Sequence, residues 1–122
     1  FFRFFSRPEM LKVLNYADLY VHPAEIEIEA IACLEAIKCG LVPVIADSPR
    51  SATRYFALTE KNLFRYDSPE DLASRIDYWL DDPDALERRR PAVEGYSAQF
   101  DRDVCMDRME GMLRDAAASR KN

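Results

Sequence analysis

Two glutamates separated by seven residues are the side chains of this sequence best placed to hold a ligand. Glu27 precedes a helix-like segment, and Glu35 lies on its least polar stretch, in one stripe with Ile28 and Ile31. A carboxylate in such surroundings is costly unless it is paired or reaches a ligand. Eight residues of helix rise about 12 Å, which is too far for a shared proton. The spacing suits two contacts along one elongated ligand.

A purely structural interpretation of the same pair stays open. Glu35 would then extend towards solvent or pair with an arginine, and Glu27 would cap the helix.

Further polar groups follow two predicted strands. The segment 22–25 comes after one strand and leads into a helix N-terminus, whose free N–H groups and dipole suit a phosphate. Ser48, Arg50 and Ser51 come after the next strand and offer hydroxyls and a cation to an anion. Ligands of open α/β sheets bind beyond the carboxyl ends of the strands, so the two loops are expected on one edge.

Neither metal binding nor histidine-based catalysis is favoured. Glu25, Glu27 and Glu29 alternate as a divalent-cation site would require, but a solvated acidic loop explains them better. His22 is the only histidine, so it has no second imidazole to form a metal site; a contact to a ligand and a structural role both stay open for it. The three cysteines are odd in number and lack C-x-x-C spacing, which predicts core thiols in a reducing compartment.

The elements that must position these groups follow from the apolar pattern. Residues 1–5 resemble a short strand, and Ser6-Arg7-Pro8-Glu9 is a capping box that starts a helix. The sequence then predicts a strand over 18–22, a nearly all-apolar buried helix over 28–39, a strand over 42–46 buried on both faces, and a strand over 63–66. Helices are predicted from 68, over 85–97 and from 101, with Leu72, Ile76, Trp79 and Leu80 on the buried face of the first.

Alternating strands and helices predict an α/β fold with a Rossmann-like, doubly wound parallel sheet that is only partial. Residues 1–100 form the sheet domain, and 101–122 form a C-terminal helix with a frayed tail. The last helix carries an apolar face of Cys105, Met109, Met112, Leu113 and Ala116.

Composition excludes several classes of protein. With 17 basic and 22 acidic residues the formal net charge is −5, so binding of nucleic acid through bulk charge is not expected. No apolar run has the length of a membrane span. The chain also begins without a methionine, which suggests a fragment.

The segments Ala17–Pro23 and Leu34–Ala46, together with the Glu27–Glu35 spacing, resemble the family 4 glycosyltransferases over residues 1–82. These are retaining enzymes of the GT-B fold, and the likeness is to their C-terminal half, which binds the nucleotide-sugar donor. It implies transfer from a nucleoside diphosphate sugar to a glycan or lipid acceptor, in the cytoplasm, for example in polysaccharide biosynthesis. It implies no metal ion and no cofactor.

The resemblance also assigns roles. Glu27 approaches the donor sugar and diphosphate, Glu35 binds the ribose hydroxyls, and the amides of Ile28, Glu29 and Ala30 face the phosphates. Many relatives have Gly-aromatic-Gly at those last three positions. The family's basic Arg/Lys pair and its N-terminal acceptor domain precede the region matched here. No residue of this chain is therefore predicted to be catalytic, and the chain alone is expected to be inactive.

Expected partners are the donor, the N-terminal domain and, for the complete enzyme, a peripheral membrane surface. The apolar face of the last helix, exposed in isolation, would favour dimers. Two other functions stay open: a non-catalytic Rossmann-like module that binds a partner, and, with only Asp47 in support, a receiver-like signalling domain. The reading frame upstream of Phe1 would separate the enzyme from the module.

Overall fold

The structure, a computed structural model, describes residues 3–119. Its elements are, in chain order, α1 (Arg7–Tyr16), β1 (Leu19–His22), α2 (Ile31–Lys38), β2 (Val42–Ala46), β3 (Leu63–Phe64), α3 (Pro69–Leu80), α4 (Pro83–Ser97) and α5 (Arg102–Ser119). Short 3-10 helices lie at Ala52–Phe56, Glu60–Asn62 and Ala98–Phe100. Strands and helices alternate up to α3, with the first two 3-10 helices in place of an α-helix between β2 and β3, which confirms the α/β prediction.

The three strands form one parallel sheet in the order β1-β2-β3. Leu19 lies opposite Val42, and His22 lies opposite Ile45, so β1 and β2 end almost level. The loops that leave these two strands therefore share one edge of the sheet, as predicted. This edge is the place where open α/β sheets bind ligands.

The core is built around β2, whose five residues are all buried, as the continuous apolar run predicts. Helices α2, α3 and α4 all pack against this strand. The buried cluster consists of Ala30, Cys33, Ile37, Val42, Val44, Ile45, Ala46, Phe64, Trp79, Leu86 and Val93. Burial of this apolar surface is the main stabilising contribution to the fold.

A proline stands inside the central strand, where a missing N–H would normally break the ladder. Pro43 pairs with Tyr20 of β1, but β3 pairs only from Ile45 onward. On the β3 side the side-chain amide of Asn62 donates to the Pro43 carbonyl (2.8 Å). Asn62 is buried, and its own oxygen accepts from the N–H of Thr59 (3.0 Å). A side-chain hydrogen bond from Asn62 thus takes the place of a backbone hydrogen bond between β2 and β3.

Helix α2 begins at Ile31, three residues later than predicted. Ala30 has φ 51° and a left-handed conformation, so no helix can run through it. The prediction that this helix is buried nearly all round is wrong, because Ile31 is 60% exposed. Only Cys33, Ala36 and Ile37 are buried. The first turn of α2 instead borders the open edge of the sheet.

The left-handed Ala30 leads to a stability prediction. Glycine adopts this conformation without the steric penalty of a side chain. We expect Ala30→Gly to leave the free energy of unfolding unchanged or slightly higher, since relieved strain offsets the lost methyl group. Ala36→Gly, at a buried position inside the same helix, should lower it by about 1 kcal/mol or more. Urea denaturation of both variants tests this, and equal losses would contradict it.

The remaining elements confirm the predictions in part. The Ser6–Glu9 capping box is present at the start of α1. The strand predicted over 1–5 is wrong for residues 3–5, which pair with no other strand, while Phe1 and Phe2 lie outside the described residues. Strand β3 is shorter than the predicted 63–66. Leu80, predicted on the buried face of α3, is 45% exposed because α3 ends there.

Helix α5 buries none of its residues. Met109, Met112 and Leu113 of its apolar face are all exposed, and Cys105 is exposed rather than in the core as predicted. Within residues 3–119 no helix has both the length and the apolar composition to cross a membrane. The division at residue 101 and the dimer through α5 stay predictions.

Candidate functional site

The loops after β1 and β2 are joined to each other through their backbones. Glu27 and Ser51 form a parallel bridge outside the strands. The N–H of Glu27 donates to the Arg50 carbonyl (3.3 Å), and the N–H of Ala52 donates to the Glu27 carbonyl (2.9 Å). The two loops that the sequence assigns to ligand binding therefore form one continuous surface, with Glu27 at its centre.

The Glu27 side chain turns back onto the loop that leads into α2. Its Oε1 accepts from the N–H of Ile28 (2.9 Å) and from that of Glu29 (3.3 Å). The N–H groups of Ala30, Glu29 and Ile28 lower the pKa of the Glu27 carboxyl below its ordinary value. The free amides predicted at this helix start are thus present, and in this structure a carboxylate of the protein itself holds two of them.

Glu35 lies within α2 and is partly shielded, with 28% of its side chain exposed. Its Oε1 lies 3.8 Å from Nη2 of Arg7, at the start of α1. Within residues 3–119 it makes no side-chain hydrogen bond, so its acceptor capacity is largely free. The predicted stripe with Ile28 is wrong, because Ile28 lies in the loop before the helix and is 83% exposed. The stripe with Ile31 remains.

A tyrosine that the sequence did not single out lies within reach of the charges of both carboxylates. Burial raises the pKa of Tyr20 to about 12, and the charges of Cys33, Glu27 and Glu35 add to the shift. The Tyr20 hydroxyl is 3.1 Å from Nδ1 of His22. The two residues are two apart on β1, so their side chains lie on one face of the sheet. The alternation of side chains along a strand could therefore have indicated from the sequence that Tyr20 lies beside His22.

His22 ends β1 and faces Glu27. Only 8% of the residue is exposed, and its Nε2 lies 3.8 Å from Oε2 of Glu27. Burial lowers the pKa of His22 below its ordinary 6.5, although the neighbouring Glu27 carboxylate opposes that shift. The imidazole is therefore neutral near neutral pH, which permits one ring N–H to face the site.

The predicted polar groups of the second loop hold that loop together. Ser48 and Ser51 are both buried. The Ser48 hydroxyl accepts from the N–H of Arg50 (3.2 Å), and that of Ser51 accepts from the N–H of Thr53 (3.3 Å). Arg50 forms an ion pair with Glu25. The structure brings these residues beside Glu27, and their contacts with a donor stay a prediction.

Three carboxylates of the first loop do not gather into a cation site. Glu25 pairs with Arg50, Glu27 accepts from backbone amides, and Glu29 is exposed. No group of three or more histidine, cysteine or carboxylate side chains in the described range is arranged to hold a metal ion. An open depression of about 390 Å³ borders Glu27–Ile31 instead.

The depressed pKa of His22 predicts how stability depends on pH. The unfolded chain gains a proton on this residue as pH falls through about 6.5, whereas the folded chain resists it to lower pH. The contribution is therefore present above pH 6.5 and is lost as pH falls through the lower, folded-state pKa. We expect His22→Gln to lose less free energy of unfolding than the native chain between about pH 7.5 and about pH 5.5. Urea denaturation at both values measures this, and equal losses would contradict it.

Comparison with known proteins places this chain in a family. The model of the family described as "Glycosyl transferases group 1" matches residues 1–96. The chain is a member of the group 1 glycosyltransferases. The match spans both loops, Glu27 and Glu35.

A solved structure supports the assignment of this group 1 chain. The chain is similar to the catalytic domain of cholesterol-alpha-glucosyltransferase from Helicobacter pylori, with 46% sequence identity and a TM-score of 0.76. The alignment covers 80% of this chain and 61% of that one, so the chain spans about three fifths of the relative's length. The likeness confirms the predicted fold, that of a GT-B glycosyltransferase domain.

Proposed function

We propose that this group 1 chain is the donor-binding part of a retaining transferase of the family 4 type. The complete transferase transfers a sugar from a nucleoside diphosphate sugar to a glycan or lipid, without a metal ion or cofactor. One observation carries the proposal. At the edge where the β1 and β2 loops join, Glu27 accepts from the amides of Ile28 and Glu29, and the charges of Glu27 and Glu35 both raise the pKa of Tyr20.

Each group has a role suited to one part of the donor. Glu35 has unused acceptor capacity, and a ribose diol offers two hydroxyl donors to one carboxylate. The amides of Ile28, Glu29 and Ala30 donate to the diphosphate, as helix N-termini do for anions. Glu27 contacts the sugar and the adjoining phosphate.

The second loop supplies the remaining donor contacts. Ser48 and Ser51 hold its backbone beside Glu27, and Arg50 supplies a cation from that loop. On donor binding Arg50 exchanges Glu25 for a phosphate oxygen, which offsets part of the negative charge that Glu25 and Glu29 bring to the edge.

Neither glutamate is a proton-transfer catalyst in this proposal. Cleavage of the donor bond requires stabilisation of the departing diphosphate by dipoles and cations. The resemblance to family 4 implies that an Arg/Lys pair, which precedes the matched region together with the acceptor domain, serves that purpose. We therefore propose that the chain acts in the cytoplasm with that N-terminal domain and is inactive alone.

The sugar we propose is glucose, since the similar Helicobacter pylori domain belongs to a glucosyltransferase. The experiment incubates the complete transferase with a panel of nucleoside diphosphate glucoses and a chelator, and determines the anomeric configuration of the product by NMR. An α-linked product from an α-linked donor is expected. Inversion would overturn the retaining assignment. Transfer from no glucose donor would overturn glucose as the sugar, and transfer from no nucleoside diphosphate sugar of any kind would favour a non-catalytic module. The chain alone is the matched control.

A further inference from the structure

An unsatisfied donor lies beside the central glutamate. His22 is more than nine-tenths buried, and its Nε2 has no hydrogen-bond partner within residues 3–119. Its other nitrogen, Nδ1, contacts the Tyr20 hydroxyl at 3.1 Å. A buried polar atom without a partner is costly and is common where a ligand or a moving group completes the site.

The surroundings select one tautomer of this ring. Tyr20 keeps its proton, since burial raises its pKa to about 12, and its hydroxyl can donate to Nδ1. The remaining ring proton is then on Nε2, the nitrogen that lies 3.8 Å from Oε2 of Glu27. In the other tautomer a nitrogen lone pair would face the carboxylate, which is repulsive. Glu27 is the carboxylate that the structure places within ion-pair distance of Nε2.

Glu27 consequently has two sets of donors within reach. Its Oε1 holds the amides of Ile28 and Glu29, and its Oε2 faces His22. Those amides are the groups that the proposed diphosphate needs, and a phosphate and a carboxylate repel each other at one amide. A movement of about 1 Å would bring Glu27 to hydrogen-bond distance of Nε2.

We propose that His22, oriented by Tyr20, is a positioning residue that receives the Glu27 carboxylate when the donor diphosphate displaces it from the amides of Ile28 and Glu29. Glu27 thus occupies the phosphate position in the free protein and, held by His22, faces the sugar in the complex. The inference rests on the proposed function and adds two residues, His22 and Tyr20, to the site.

The first test needs no donor. His22 is the only histidine, so a long-range ¹H–¹⁵N spectrum of the labelled 122-residue chain reports one imidazole. We expect a neutral ring protonated on Nε2 near neutral pH, and a mixture of tautomers in Tyr20→Phe. Tyr96→Phe is the matched control, because the Tyr96 hydroxyl donates to the Tyr55 carbonyl away from this site. A ring protonated on Nδ1 in the native chain would overturn the proposal.

The second test uses the complete transferase and a double-mutant cycle. We expect His22→Met to lower kcat/KM about tenfold, the scale of a hydrogen bond to a charged group. His22→Gln, which keeps a donor near the Nε2 position, should recover most of that loss. In a Glu27→Ala background, His22→Met should change kcat/KM by less than about twofold. A tenfold loss that persists there would show that His22 acts independently of Glu27 and would overturn the proposal.

Two controls separate a loss of function from a loss of folding or of donor binding. Thermal unfolding checks each variant, and Tyr20→Phe, which removes only a hydroxyl, takes the place of His22→Met in the cycle if that variant does not fold. The imidazole spectrum is independent of activity. A transferase that accepts no nucleoside diphosphate sugar therefore refutes the proposed function, whereas the wrong tautomer or a persistent loss refutes the part assigned to His22.

Discussion

Replacing Glu35 by alanine in the complete transferase should raise the inhibition constant of a nucleoside diphosphate about a hundredfold. The reason is the loss of two hydrogen bonds from the ribose hydroxyls to one partly shielded carboxylate. The same substitution should leave inhibition by inorganic pyrophosphate unchanged, because pyrophosphate has no ribose. Competition against the donor sugar measures both constants.

The control for Glu35→Ala is Glu94→Ala, an exposed glutamate of α4 outside the candidate site. It should leave both inhibition constants unchanged. The Glu35 side chain makes no hydrogen bond in the described part of the chain and lies 3.8 Å from Arg7, so its removal should cost little stability. Equal weakening of the nucleotide and of pyrophosphate would contradict the ribose role, as would no weakening of either.

The largest effect on stability is expected from Asn62→Leu. This change leaves the buried Pro43 carbonyl and the half-buried Thr59 N–H without their partner. Since each unsatisfied buried group costs about 1–3 kcal/mol, the free energy of unfolding should fall by about 3 kcal/mol. Urea denaturation of the chain measures the change.

Asn15→Ala is the matched control for Asn62→Leu. The Asn15 side-chain amide also donates to a backbone carbonyl, that of Leu11, but on the exposed surface of α1. Water replaces that bond, so the change should stay within about 0.5 kcal/mol. If Asn62→Leu lowered the free energy of unfolding no more than Asn15→Ala does, the hydrogen bond from Asn62 to Pro43 would have no special importance for the sheet.

Much of the fold could be predicted because its signals are local. The uninterrupted apolar run 42–46 predicts a strand buried on both faces, and Ser6 with Glu9 fixes the start of α1. The start of α2 could not be predicted, because Ile28–Ala30 contains no helix-breaking residue. Backbone pairing of Glu27 with Ser51 decides it, and that contact joins residues 24 apart in sequence. Tertiary structure there overrides local propensity.

The candidate site, too, could be predicted from the sequence only in part. Glu27 and Glu35 stand out because carboxylates are rare next to a buried helix face. Their partners do not, since Arg7 reaches Glu35 from another helix and Glu27 turns onto its own loop. The buried Ser51 illustrates the difficulty, because its hydroxyl suggests a ligand contact by type yet caps a 3-10 helix in the structure.

The backbone bridge between Glu27 and Ser51 has a consequence for how donor preference could change in evolution or by engineering. Its hydrogen bonds involve main-chain atoms alone, so side chains other than Glu27, Ser48 and Ser51, whose own hydrogen bonds hold the loops, can be exchanged while the spacing of the loops is kept. An insertion or deletion between Asp47 and Ser51 would shift that register and move Glu27 with it. Libraries that vary residue type at constant loop length should therefore yield more folded, selectable variants than libraries that vary length.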